Sequence, residues 1–242
     1  MPMNLAERHP VWTPPPPTPW LPFVGHDTPL FLVDLPALKL RTDLLLQTFP
    51  QAHLALKSND LPSLLRYLAS WGLGADCASD GELRLARNCG FGSFICTAPW
   101  KEDAFLERIV SSPVPLVVVD HTEELIRLDG FARNRLPAPV PVLLRLRPTR
   151  SVWSKFGLPP ARIPAAADLL RRLPALNWQG FHLHRSWTTE IDRYDQDLSL
   201  MGSLLGQCPH PDPILDLGGG FLPENWWFWG NGIRGSRPAR LE

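Results

Sequence analysis

Apolar and polar positions along this chain switch repeatedly between two periods. Short apolar or alternating runs, the spacing of a buried or half-buried strand, are HLALKS (53–58), GADCAS (74–79), SFICTAP (93–99), LVVVDH (116–121), VPVLLRLRP (140–148), QGFHLHRSW (179–187) and PILDLGGGF (213–221). Stretches of helical period follow them: LPSLLRYLASWG, ended by Gly72, then GELRLARNCG with Asp80 as its expected cap, KEDAFLERIVSS, TEELIRLDGFAR, PAAADLLRRLPAL and DRYDQDLSLMGSLLG. Ahead of them, TPLFLVDL (28–35) reads as a further strand and ALKLRTDLLLQTF (37–49) as an amphipathic helix.

Strand–helix units of this length imply parallel strands joined by right-handed crossovers, hence an α/β fold. Counted from HLALKS there are seven barrel-type strands. Lys57, Asp76, Thr97, Asp120, Arg145, His184 and the glycines from Gly218 fall at or near the C-terminal ends of successive runs. In a (β/α)8 barrel those ends surround one site, whereas an open doubly wound sheet gathers ligands at a single switch point. The pattern favours an incomplete barrel of about seven parallel strands.

Composition narrows the class. Of 242 residues 44% are hydrophobic and 20% charged, and Lys+Arg and Asp+Glu each total 24, so no net field favours nucleic acid or an anionic membrane. The four cysteines, Cys77, Cys89, Cys96 and Cys208, lack metal-finger or CxxC spacing and read as reduced thiols of a cytoplasmic protein. No apolar run approaches the roughly 20 residues that span a bilayer. The 28 prolines and 10 tryptophans gather near the ends: residues 1–27, with HPVWTPPPPTPWLP, suggest a polyproline-like arm, and 222–242 an irregular tail whose WWFW is an apolar contact surface or a liability. Residues 28–221 make the expected barrel domain.

Two features carry chemistry. In LDLGGGF, three glycines after a strand let backbone N–H groups approach an anion, which suits a phosphate at a barrel's late strands; the plain alternative is a tight turn. Lys57 at the mouth of the same barrel suits a Schiff base to an aldehyde cofactor, although alone it reads as an exposed lysine. His182 and His184 share a strand face, as in a paired metal site, but nothing else in the sequence supplies a convincing further histidine ligand at a strand end, and no metal is expected. Cys77, beside Asp76, points to the opposite face and reads as core.

ALKSND, GADCASDGEL, SKFG, the FHLH run and LDLGGGF occur in the order and at about the spacing found in the fold-type III pyridoxal-phosphate decarboxylases of ornithine, arginine, diaminopimelate and related amino acids, which this chain resembles from Thr28 to Phe221. The resemblance implies an alanine-racemase-like barrel, the cofactor pyridoxal 5'-phosphate and decarboxylation of a basic amino acid, as in polyamine or amino-acid metabolism. It makes Lys57 the Schiff-base lysine. Asp76 and Glu82 become the acids that support it, Arg145 and Lys155 basic residues near the cofactor, and His184 the imidazole stacked on its ring. Gly218, Gly219 and Gly220 would hold the phosphate. Ser186 would contact it too, but HRSW, with Arg185 and then Trp187, departs from the family's glycine-then-serine after the second histidine.

A larger departure follows Gly220. The family continues with an acid, a Pro-Gly-Arg run and a C-terminal β domain, none of which this sequence contains, so a shortened barrel with a weakened electron sink is expected. The alternatives are a non-catalytic barrel that binds the cofactor, similar to the single-domain pyridoxal-phosphate homeostasis proteins, or a decarboxylase-like regulatory pseudoenzyme. A homodimer or pairing with a full-length homologue is the assembly the resemblance suggests.

Overall fold

The computed structural model describes residues 32–49, 51–111, 113–148, 155–185 and 194–219. The expected arm, the tail, Ser186, Trp187 and Gly220 lie outside these residues. Among the described residues seven α-helices and seven strands alternate: α1 (Leu35–Thr48), β1 (His53–Ala55), α2 (Pro62–Ser70), β2 (Gly74–Cys77), α3 (Asp80–Cys89), β3 (Phe94–Cys96), α4 (Asp103–Ile109), β4 (Leu116–Val119), α5 (Thr122–Ala132), β5 (Val140–Leu146), α6 (Ile163–Leu170), β6 (Leu176–Leu183), α7 (Tyr194–Leu204) and β7 (Ile214–Asp216).

The seven strands form one sheet in sequence order, every neighbouring pair parallel. Flat, that sheet would separate β1 from β7 by six strand spacings, roughly 29 Å. Instead the charge of His53 on β1 acts on Asp216 of β7, and that of His182 on β6 acts on Asp76 of β2. Coulombic influence falls off with separation, so the sheet is curled into the partial barrel expected from the strand ends.

The two faces of the pleat hold different cores. Cys77, Cys96, Val117, Val119, Val142, Leu144, Phe181 and Leu183 point outward and pack with helix residues such as Leu65, Leu83, Leu106 and Leu125 into the main core. Ile95, Val118 and Leu143, with Leu116 and Ile214 against them, form a second, smaller cluster on the concave side. Asp76 pairs in register with Ile95, and Arg145, His182 and Asp216 each lie two residues beyond a concave-side position. The barrel interior is therefore apolar in its middle and polar toward the C-terminal strand ends.

One irregularity decides what β6 presents there. Val142 pairs with Trp178 and Leu143 with Gly180, leaving Gln179 as an extra residue. Trp178 belongs to the outer core, so an unbulged strand would send Gly180 and His182 outward as well. The bulge turns both histidine positions inward. Gly180 permits it with φ +147°, and a Cβ there would stand 2.0 Å from the Ile214 carbonyl oxygen.

Several boundaries differ from the sequence pattern. The strand expected over 28–35 is not present in its described part, because Asp34 accepts the Ala37 N–H and starts α1 at Leu35. HLALKS is a strand only to Ala55, after which Leu56–Ser58 form one 3-10 turn. The cap of α3 is Ser79, whose hydroxyl accepts the Glu82 N–H, and Asp80 is the first residue inside. Cys77 is buried in the core as expected. Among the described residues no helix is long and apolar enough to cross a membrane.

Candidate active site

Lys57 stands at the end of β1 because the 3-10 turn closes beneath it. Leu56 is fully buried and anchors the turn, while the Ser58 hydroxyl donates to the Ala55 carbonyl at 2.7 Å. The Lys57 side chain is left exposed at the barrel mouth. Its positive charge acts on both Asp76 of β2 and His184 just past β6, which places all three at the same end of the barrel.

Asp76 does not cap the following helix. Its Oδ1 accepts the Thr97 hydroxyl at 2.5 Å, linking the ends of β2 and β3. Burial lifts the Asp76 carboxyl above the usual carboxylate range, against the Thr97 hydrogen bond and the charges of His182 and Lys57. Glu82 is engaged locally: its Oε2 accepts the Ala78 N–H at 2.7 Å, completing a reciprocal cap on α3.

Arg145 is buried rather than a surface charge, and it is paired. Its Nη1 donates to Asp120 Oδ1 at 2.9 Å, and its guanidinium lies 5.1 Å from the centre of the Phe156 ring. Asp120 Oδ2 accepts the Gly157 N–H at 2.9 Å, so one carboxylate fastens the segment after β5 to the end of β4. Lys155 is exposed on that segment, its ammonium 4.9 Å over the same Phe156 ring.

On the late strands His182 and His184 stack with ring centroids 6.5 Å apart and planes inclined by 15°. His182 Nδ1 lies 2.6 Å from Asp216 Oδ2, and the Gly218 N–H donates to Asp216 Oδ1 at 2.9 Å. Burial, then the neighbouring charges of His182, Lys57 and Arg145, push His184 down to about 4, so its imidazole is neutral at physiological pH. Burial alone would raise Asp216, but His182, the Gly218 N–H and His53 outweigh it and hold the carboxyl at about 2. Gly218 has φ +63°, and a Cβ on it would meet His184 Nδ1 at 2.7 Å; around Gly219 the space is open.

Lys57, Asp76, Arg145, His184 and Gly218 thus belong to one end of the barrel, with Gly219 the next residue of the turn, while Glu82 is occupied at a helix start and Lys155 sits on the following segment. Three pairs carry no sequence signal of their own. Asp216 stood hidden as an ordinary strand residue. Lys101 and Glu124 form a fully buried ion pair at 2.5 Å, and Arg185, itself fully buried, is held by Asp197 of α7 through two hydrogen bonds of 2.5 and 3.0 Å. The last pair puts an arginine where the family sequence leads one to look for glycine.

The chemistry of this donor set suits a phosphorylated aldehyde. It offers an amine without a hydrogen-bond partner among the described residues, an imidazole stack in which His184 is neutral, and a glycine turn open beside Gly219 that a Cβ would fill.

Comparison with known proteins agrees. A family model described as pyridoxal-dependent decarboxylase, pyridoxal binding domain, matches residues 37–225. The chain is 30% identical over 146 residues to the L-glutamyl-[BtrI acyl-carrier protein] decarboxylase of Niallia circulans, covering 55% of this chain and 34% of the relative. It is 28% identical over 211 residues to ornithine decarboxylase 2 of Drosophila melanogaster, covering 81% and 52%. The chain thus spans about a third to a half of the length of these curated relatives. The crystal structure of Vibrio vulnificus lysine/ornithine decarboxylase complexed with putrescine superposes with a TM-score of 0.69 at 25% identity, over 86% of this chain and 56% of the other. The chain belongs to the pyridoxal-dependent decarboxylases and carries their pyridoxal-binding, alanine-racemase-like barrel domain.

Proposed function

We propose that this barrel holds pyridoxal 5'-phosphate through Lys57 and serves the loss of the α-carboxylate from a basic amino acid. The observation that carries the reading is the position of Lys57 and Gly218 at the same end of the curled sheet, with His184 in contact with one and under the charge of the other. Lys57 Nζ, once it has given up its proton, would hold the cofactor at its aldehyde carbon, the carbonyl oxygen leaving as water, and no carboxylate of the described residues is hydrogen-bonded to it to hold it back. His184, kept neutral, can lie against a cationic ring without repulsion. With the Gly218 N–H taken by Asp216 Oδ1, the N–H of Gly219, beside open space, would face the phosphate, and Gly220 and Ser186 would be further contacts. Arg145, held by Asp120, adds positive charge nearby.

Bound there, the cofactor supplies the electron sink for the pair left on the α-carbon when carbon dioxide departs. Asp76, with its raised pKa, sits where it can hold a proton near Lys57 Nζ, and Thr97 fixes the orientation of its carboxyl. Lys155 and Glu82 act on the rim and on the α3 start rather than on the ring.

The test has two parts. Wild-type protein incubated with pyridoxal 5'-phosphate and reduced with borohydride is expected to carry a phosphopyridoxyl group on the peptide containing Lys57, and Lys57→Ala none. Carbon dioxide release from carboxyl-labelled ornithine, arginine, lysine or diaminopimelate then reports decarboxylation. Labelling without release from any of them leaves a cofactor-binding barrel; absence of labelling on Lys57 overturns the reading.

A further inference from the structure

Asp216 divides its two oxygens between two different parts of the site. Oδ2 lies 2.6 Å from Nδ1 of the buried His182, its register partner across β6 and β7, and Oδ1 accepts the N–H of Gly218 at 2.9 Å. His182 in turn stacks with His184, and Gly218 is pressed so closely on His184 that no Cβ fits between them. A ring of contacts therefore closes from Asp216 through His182 and His184 to Gly218 and back.

We propose that Asp216 is a positioning residue that couples the two halves of the cofactor site, orienting the His182–His184 stack through one oxygen and setting the first residue of the glycine turn through the other.

Three physical points support it. An imidazole that donates Nδ1–H to a carboxylate is fixed in both tautomer and ring plane, and a stacked neighbour inherits that plane. A side-chain oxygen accepting the N–H two residues on makes an Asx turn, which here holds Gly218 in the left-handed conformation the turn needs. The carboxylate stays ionised, since His182, Gly218 and His53 outweigh the cost of its burial. Neither His182 nor Asp216 is in a position to be the nucleophile; each acts through His184 or Gly218.

The inference rests on the cofactor reading above, and one of its tests does not need the cofactor. In nitrogen-15-labelled protein without added ligand, with His182 assigned by the signal lost in His182→Gln, wild type is expected to keep a proton on His182 Nδ1 in mildly alkaline buffer. Asp216→Asn, whose amide N–H now points at that nitrogen, is expected to move the proton to Nε2. In the second test, Asp216→Asn binds both pyridoxal phosphate and pyridoxal at least about tenfold more weakly than wild type, the size of effect seen when the partner of a functional imidazole is lost.

A wild-type His182 protonated on Nε2 alone overturns the inference, whatever the variant does. So does a folded Asp216→Asn with unchanged affinity. If wild type takes up no cofactor on Lys57, the proposed function fails instead, and the tautomer measurement alone decides the role of Asp216.

Discussion

Lys101 Nζ and Glu124 Oε1 lie 2.5 Å apart with both side chains wholly buried behind the barrel mouth. The ammonium also donates to the carbonyls of Ala98 and Val118 at 2.8 Å each, and Glu124 Oε2 accepts the Asp120 N–H at 2.9 Å. All three ammonium protons are satisfied, and the pair ties the ends of β3 and β4 to the first turn of α5. Removing one partner strands a charge in the core, at a cost of about 3–5 kcal/mol. Lys101→Met is expected to lower the unfolding free energy measured by urea denaturation by that amount, with a matching fall in the midpoint, and Lys101→Met with Glu124→Gln to recover a large part of it. Equal midpoints for the single and double variants would show that the pairing contributes nothing.

The glycine turn separates a structural demand from a ligand demand. Gly218→Ala introduces a Cβ 2.7 Å from His184 Nδ1 and 3.2 Å from the Leu183 carbonyl oxygen at φ +63°, and is expected to destabilise the fold by about 1–3 kcal/mol and to displace the imidazole. Gly219→Ala meets nothing within 4 Å, so its melting temperature is expected to stay within about 1–2 °C of wild type. If the open space beside Gly219 receives a phosphate, that same variant loses pyridoxal phosphate affinity by tenfold or more while pyridoxal, which lacks the phosphate, binds as before. Unchanged affinity for pyridoxal phosphate in Gly219→Ala would remove this turn from the binding site.

These contrasts show which parts of the molecule can be read from the chain and which cannot. The seven strands and their shared polar end follow from period-two runs terminated by Lys57, Asp76, Asp120 and Arg145, because one residue per strand end is a local signal. The orientation of His182 is not local. QGFHLH alternates cleanly in sequence, yet the inward placement of both histidines depends on Gln179 being left unpaired against β5, which only the register with Val142 and Leu143 reveals. Partners are equally non-local: Arg145 announces the need for a carboxylate, but Asp120 lies 25 residues away, and Asp216 lies 34 residues from His182. A buried cation such as Lys101 looks in sequence like the solvated start of a helix.

Asp120 is acceptor to two donors, the Arg145 guanidinium and the Gly157 N–H, both at 2.9 Å. An asparagine can accept only one of them and turns an N–H toward the other, so Asp120→Asn leaves a buried donor unsatisfied, at roughly 1–3 kcal/mol. The segment 155–158 is expected to loosen from the end of β4, which limited proteolysis reads as new cleavage near Phe156. Asp120→Glu, which restores the charge with a longer reach, is expected to recover part of the protection. No change in cleavage for Asp120→Asn would mean that the Leu146–Leu158 bridge and the Arg147 hydrogen bonds to the Gly157 carbonyl hold the segment without it.

Acid stability should carry the signature of three groups with different signs. His184 titrates at about 4 in the fold against an ordinary 6.5, so as pH falls through that interval the unfolded chain takes up a proton that the folded one refuses, and stability is lost. Asp216, at about 2 against 3.8, contributes stability that is fully present above 3.8 and disappears as pH drops toward 2. Asp76 works the other way: its raised pKa lets the folded state bind a proton first, so acidification through its titration restores stability. Urea midpoints measured from neutrality downward are therefore expected to fall between about pH 6.5 and 4 and again below pH 4. His184→Asn should flatten the upper interval and leave the lower one. Asp76→Asn should raise stability at neutral pH, where it removes a buried charge, and make the acid loss steeper, since the compensating proton uptake is gone. An Asp76→Asn profile parallel to wild type would show that this carboxyl titrates alike in the folded and unfolded chains, and would take from it the proton-holding role beside Lys57.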